Sequence, residues 1–147
     1  MADMPIDITS ANAKLRIVVP QYYPGGFDVD DYAADDMFEA GALQNKEDMM
    51  SADGKYHAGF VFNPTEFTIN LMPTSKASSL IDSWYAAERA VISAFGCNAT
   101  LTIPALQAKY NFVNGVLFTW TPVPPGKRIL QPRPAVFHFE SCTRSPM

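Results

Sequence analysis

One stretch of this sequence repeats its apolar residues at helical spacing, and nearly every other patterned stretch alternates with period two. Within residues 76–95, Ala77, Leu80, Ile81, Trp84, Ala87, Val91 and Phe95 recur at i, i+3, i+4 and i+7, which gathers them on one side of an α-helix. Ser75 offers an N-cap hydroxyl at its start. Gly96 follows as a residue able to take the left-handed conformation that ends helices. Lys76, Ser79, Asp82, Ser83 and Glu88 fall largely off the stripe. A lone helix with one apolar face needs a sheet edge or sheet face to lie on.

The sheet is written in the alternating segments. Leu15, Ile17 and Val19 alternate with Lys14, Arg16 and Val18. Residues 22–26, Tyr-Tyr-Pro-Gly-Gly, read as a turn, and residues 27–32 as the second strand of a hairpin. Tyr56, Ala58, Phe60 and Phe62 share one face of a strand that Asn63-Pro64 interrupts. Phe67, Ile69 and Leu71 make a half-buried strand, as do Cys97, Ala99, Leu101 and Ile103. Tyr110, Phe112, Val116, Phe118 and Trp120 line one side of a longer strand, with Gly115 a bulge or close-packing point. Residues 121–134 hold five prolines and form a turn-rich connection, after which Ala135, Phe137 and Phe139 close the chain. The expected fold is a single domain over residues 1–147, α+β and mainly β: an antiparallel sandwich or small barrel with one flanking helix. A chain of 147 residues buries roughly 70% of its unfolded surface, enough for one core.

Residues 33–54 break the pattern. Asp35, Asp36, Glu39, Glu47, Asp48 and Asp53 are mixed with Met37, Phe38, Leu43, Met49 and Met50 without regular periodicity. Long irregular stretches inside compact domains are usually functional or disordered, and apolar residues argue against a solvated linker. The segment reads as an extended arm or long hairpin that orders against a neighbouring subunit. Charge supports that reading. Residues 1–75 hold 12 carboxylates and 4 Lys/Arg, whereas residues 76–147 hold 3 and 7. An acidic part of one copy can therefore meet a basic part of another. Lys127, Arg128 and Arg133, in the proline-rich connection, suit the acidic arm. The expected interface set is Asp35, Asp36, Phe38, Glu39, Leu43, Met49, Met50, Lys127, Arg128 and Arg133.

Chemistry is not written in this chain. His57 and His138 fall in strands, each opposite an aromatic row, and no nucleophile-elbow, P-loop, GxGxxG or HExxH motif occurs. Asp28, Asp30, Asp31, Asp35 and Asp36 are hard-oxygen ligands, but they lack calcium-loop spacing. No metal or cofactor is expected. Cys97 and Cys142 have no CxxC spacing and read as two buried thiols. A net charge of −4 does not suit a protein that neutralises many phosphates. No apolar run reaches the roughly 20 residues that span a bilayer, and the first ten residues, with Asp3 and Asp7, do not read as a secretory signal. Accumulation in the cytoplasm that makes the chain is the expectation.

The order of elements resembles the tail-tube proteins of contractile-tailed bacteriophages, whose fold is shared by type VI secretion and pyocin tube proteins. The residues that carry the resemblance are Phe27 to Tyr32 before a long loop and Ala52-Asp53-Gly54 before the strand Tyr56 to Phe62. The run Phe67 to Ser75 leading into the helix of Leu80 and Trp84, and the closing strands around Ala99, Tyr110 to Trp120 and Ala135 to Glu140, complete it. The resemblance spans nearly the whole chain and lies in layout more than in a strict motif. It implies a non-enzymatic virion protein, assembled in the host cytoplasm into stacked hexameric rings of the tail. Sheath and baseplate proteins would be its partners, and DNA would pass through the lumen. Asp28, Asp30 and Asp31 are then candidates for the channel lining, where carboxylates would repel phosphates. The proline-rich connection is longer than a hairpin needs, which leaves open a tube initiator or another baseplate or tail-completion ring. A small β-rich binding module, with a metal or basic partner on the acidic arm, is the alternative from another class.

Overall fold

The computed structural model describes residues 13–29 and 37–146. Its strands are β1 (Lys14–Val19), β2 (Tyr23–Val29), β3 (Phe38–Ala40), β4 (Lys46–Met50), β5 (Tyr56–Phe60), β6 (Thr65–Leu71), β7 (Cys97–Ile103), β8 (Ala108–Trp120) and β9 (Arg133–Pro146), with one α-helix, α1 (Lys76–Val91), between β6 and β7. Seven strands form one antiparallel sheet in the order β2-β1-β7-β8-β9-β6-β3, and β4 and β5 form a separate two-stranded ribbon.

Alternation puts Leu15, Ile17, Val19, Phe67, Ile69, Leu71, Ala99, Leu101, Phe137 and Phe139 in one buried cluster. The sheet curls around it. Strands β6 and β8 both flank β9, so their axes stand roughly 10 Å apart, yet the rings of Phe67 and Phe112 meet with centroids 4.7 Å apart. The edge strands β2 and β3 do not pair with each other, so the result is a sandwich-like open sheet and not a closed barrel. Helix α1 packs on the same core. Trp84, fully buried, lies tilted against Phe137 with ring centroids 5.9 Å apart, and the Tyr23 hydroxyl donates to the Leu80 carbonyl at 2.8 Å. The helix is thus tied to β2 on one flank and to β9 on the other. Ser75 is its N-cap, accepting from Ala77 N at 3.1 Å.

The structure departs from the sequence reading at several points. The first turn lies at Pro20–Gln21–Tyr22, and residues 23–26 already belong to β2. The helix ends at Val91, one turn short of Phe95. Its C-cap is Ile92, at φ 52° and 92% exposed, and not Gly96. Glu88 explains the early stop. Its Oε1 accepts from Trp84 Nε1 at 3.1 Å and from the backbone N–H of Phe95 at 2.8 Å, so the chain doubles back onto the helix, and Glu88 faces inward.

Strand β8 changes face. Asn114 takes φ 53°, and the pairing register shifts there and again between Leu117 and Thr119. Phe112, Gly115 and Trp120 point inward, whereas Phe118 emerges on the outer face, stacked 3.9 Å from His138. Gly115 is a close-packing point, because a Cβ there would lie 2.1 Å from Phe139 Cδ1. Cys97 is buried and Cys142 exposed, so only one thiol is interior.

Candidate assembly surface

The arm is a hairpin, and it lies further along the chain than residues 33–54: Phe38–Ala40 belong to the sheet and β5 forms the returning strand. Gly41 N donates to the Glu66 carbonyl at 2.9 Å, where the chain leaves the sheet beside β6. The chain runs out along β4 and returns along β5, with Val61 N bonded to the Asn45 carbonyl at 3.0 Å and Asn63 Nδ2 to the Gln44 carbonyl at 2.6 Å. Its tip is built by residues 51–55. Ser51 N and Gly54 N donate to the carbonyls of Lys55 and Ser51 at 2.8 and 3.0 Å, and Gly54 takes φ 86°, which a side chain would resist. The Ser51 hydroxyl donates to the Asp53 carboxylate and holds that carboxyl below its ordinary range.

Register sorts the ribbon into two faces. The pairs Lys46–Phe60, Asp48–Ala58 and Met50–Tyr56 point to one side, and Glu47–Gly59 and Met49–His57 to the other. Contacts agree: the Tyr56 hydroxyl donates to Asp48 Oδ2 at 2.7 Å, which raises the phenol pKa because the bond favours its neutral form. Lys46 Nζ lies 4.8 Å from the Phe60 ring, and Phe62 extends the row with its ring 4.9 Å from Phe60. All residues of β4 and β5 are exposed. Met49 is 71% exposed and Phe62 92%. An isolated two-stranded hairpin is marginal in water, and a contiguous exposed aromatic face on one makes it a candidate contact surface. At the ribbon's base, Leu43, Phe60, Phe62, Thr65, Ser141 and Cys142 line a hollow of about 220 Å³. Thr65 Oγ1 is buried there without a hydrogen-bond partner among the described residues.

The expected interface residues divide. Leu43, Met49 and Met50 are exposed on or beside the ribbon, and Glu39 is exposed on β3. Phe38 belongs to the sheet, its ring 6.3 Å from Phe67. Lys127 and Arg128 are exposed in the connection between β8 and β9. Asp30, Asp31, Asp35 and Asp36 lie outside the described residues. Asp28 is exposed on β2 and paired with Arg16 Nη1 at 3.2 Å.

Arg133 corrects the expectation of a free interface cation. It is 4% exposed, and its Nη1 and Nη2 donate to Asp82 Oδ1 and Oδ2 at 3.0 and 3.1 Å. The Pro122 carbonyl accepts from Nη1 at 3.2 Å, and the guanidinium lies 4.6 Å from the Trp120 ring. Trp120 Nε1 also donates to Asp82 Oδ1, at 2.8 Å. This cluster clasps the two ends of the proline-rich loop against α1.

Sequence reasoning missed Tyr56, Phe60 and Phe62 as surface residues, having given them a strand of the domain. The signals available were Gly59 within that strand and Pro64 just after it, which weaken a core strand. Among the described residues no group of three or more His, Cys, Asp or Glu side chains is placed to hold a metal.

A family model described as "Tail fiber protein gp32" matches residues 6–143. The chain belongs to the tail fiber protein gp32 family. No curated protein sequence matches it. The family member's fold is that of contractile injection system proteins. It superimposes on a chain of the anti-feeding prophage baseplate, solved with six-fold symmetry, with a TM-score of 0.61 at 10% identity, over 97% of this chain and 98% of that one. A chain of the anti-feeding prophage tube-terminating cap gives 0.57 at 11% identity, over 100% and 96%. A chain of the sheath–tube complex of an extracellular contractile injection system gives 0.56 at 11%, over 97% and 93%. The tail-tube resemblance drawn from the sequence holds at the level of fold.

Proposed function

We propose that this chain is a structural, non-enzymatic ring protein of a phage tail. Six copies close a ring, rings stack into a tube, and DNA passes through the lumen during ejection, with sheath and baseplate proteins as partners. The observation that carries this reading is the ribbon of β4 and β5, whose Met50, Tyr56, Phe60 and Phe62 a lone copy leaves in water. The fold family supports it, as does the open sheet: β2 and β3 are its outer strands among the described residues, and ring closure covers such edges. We assign Asp28, with Asp30 and Asp31 beside it in sequence, to the channel wall, where their charge keeps phosphates from adhering. A ring that stops, as a tube initiator or terminator, is the second reading, favoured by the baseplate and cap proteins among those that share the fold.

Negative-stain electron microscopy of the concentrated protein tests this. Rings or open-ended tubes with a central hole are expected, and elongated solid fibres would refute the ring. Joining Asn45 to Val61 by a two-residue turn in place of β4 and β5 uses ends that are already hydrogen-bonded. That variant should stay folded, by circular dichroism, and form no rings. Rings from it would remove the ribbon from the assembly contact.

A further inference from the structure

The proline-rich loop and the ribbon occupy opposite ends of the same strands. Strand β6 pairs with β9 from Thr65 opposite Phe139 to Leu71 opposite Arg133. The ribbon returns to the sheet just before Thr65, and loop 121–132 departs from Trp120 and returns at Arg133. Six residue steps separate these ends, roughly 20 Å. Arg133, Asp82 and Trp120 clasp the loop's root at the end of the sheet away from its own ribbon.

The two are chemically matched. Loop 121–132 carries Lys127 and Arg128 and no carboxylate, and exposes Val123, Ile129 and Leu130. Its four prolines limit the chain's freedom, and gain and loss of freedom decide how readily a segment docks. The ribbon carries Asp48 on the face of Met50, Tyr56 and Phe60, Lys46 on that face is turned onto Phe60, and Asp53 stands at the tip. Its Tyr56, Phe60 and Phe62 form an aromatic row, the kind of surface on which proline-rich segments dock.

We infer that loop 121–132 of one copy docks on the Met50–Tyr56–Phe60 face of the ribbon of a second copy, a head-to-tail contact. Such a contact is heterologous: it closes into a ring or propagates into a filament, and it gives the assembly a polarity. The inference rests on the reading of this chain as a self-assembling tail protein and adds which surfaces meet.

Two single-cysteine variants test it in a Cys142→Ser background, with Cys97 buried. One carries Ile129→Cys in the loop and the other Ala58→Cys on the ribbon face. Mixed at assembling concentration and oxidised, they should give a disulfide-linked dimer that neither variant gives alone and that excess Cys142→Ser protein suppresses. Yield no greater than from the separate variants, while the mixture assembles, overturns the docking and leaves the ring reading standing. Absence of any assembly from the wild type overturns both. Second, Lys127→Glu with Arg128→Glu should raise the concentration needed for assembly about tenfold, the scale of losing exposed ion pairs, without lowering the melting temperature. Mixing with Asp48→Lys protein should restore part of it. An unchanged threshold counts against the docking.

Discussion

Removing the carboxylate that faces Arg133 should destabilise this domain more than its surface position suggests. Asp82 takes three hydrogen bonds, two from Arg133 at 3.0 and 3.1 Å and one from Trp120 at 2.8 Å. In Asp82→Ala the guanidinium stays where it is, 4% exposed, with the Pro122 carbonyl and the Trp120 ring as its remaining partners and Nε already unpartnered. Breaking one side of a buried ion pair costs about 3–5 kcal/mol, mostly because a charge is left buried. The Asp82 side chain is 41% exposed, so water reaches the vacated position, and the lower end, about 3 kcal/mol, applies. For a chain of this size that is a fall of about 9 °C in melting temperature. Urea denaturation of dilute protein at neutral pH measures it. The double variant Asp82→Ala/Arg133→Met, which removes both charges, should recover most of the loss. A single variant that loses less than about 1 kcal/mol, or a double no better than the single, would refute the reasoning: Arg133 would then have found solvent.

Three further outcomes follow from the geometry. Gly115→Ala places a Cβ 2.1 Å from Phe139 Cδ1 and 2.9 Å from the His138 carbonyl oxygen; overpacking between two strands should cost about 3 kcal/mol by chemical denaturation. Ile92→Gly relieves a β-branched residue held at φ 52° in solvent and should raise stability by about 1 kcal/mol in the same assay. Burial pushes the Cys97 thiol up to about 12 and raises Cys142 less far, so at pH 8 a thiol reagent should label one cysteine slowly in the native protein and both in urea.

Most of the sheet was legible because its strands alternate strictly. Leu15–Val19, Phe67–Leu71 and Cys97–Ile103 each show a period of two and each has one buried face. What was not legible depends on contacts between distant residues. Phe118 sits at even spacing from Phe112, yet two irregularities in β8 place it outside, and nothing near Asn114 in sequence announces them except Gly115. Glu88 looks like a surface residue of the helix until Phe95 returns to it. Arg133 looks like one of three loop cations, and only the fold brings Asp82, 51 residues away, opposite its guanidinium. Periodicity put Tyr56, Ala58, Phe60 and Phe62 on one face of a strand of the domain because they alternate well. Alternation reports that one face differs from the other, and says nothing about whether the same chain supplies its cover.

The placement of loop and ribbon at opposite ends of the strands also sets how the domain bears load. A pull between them runs parallel to β6, β8 and β9, so the seven paired positions of β6 with β9 are strained in shear and must yield together. A sideways pull on β3, held by three pairs, opens them one after another like a zip. The domain is therefore stiff along its strands and compliant at one margin, a mechanical anisotropy written in strand length alone.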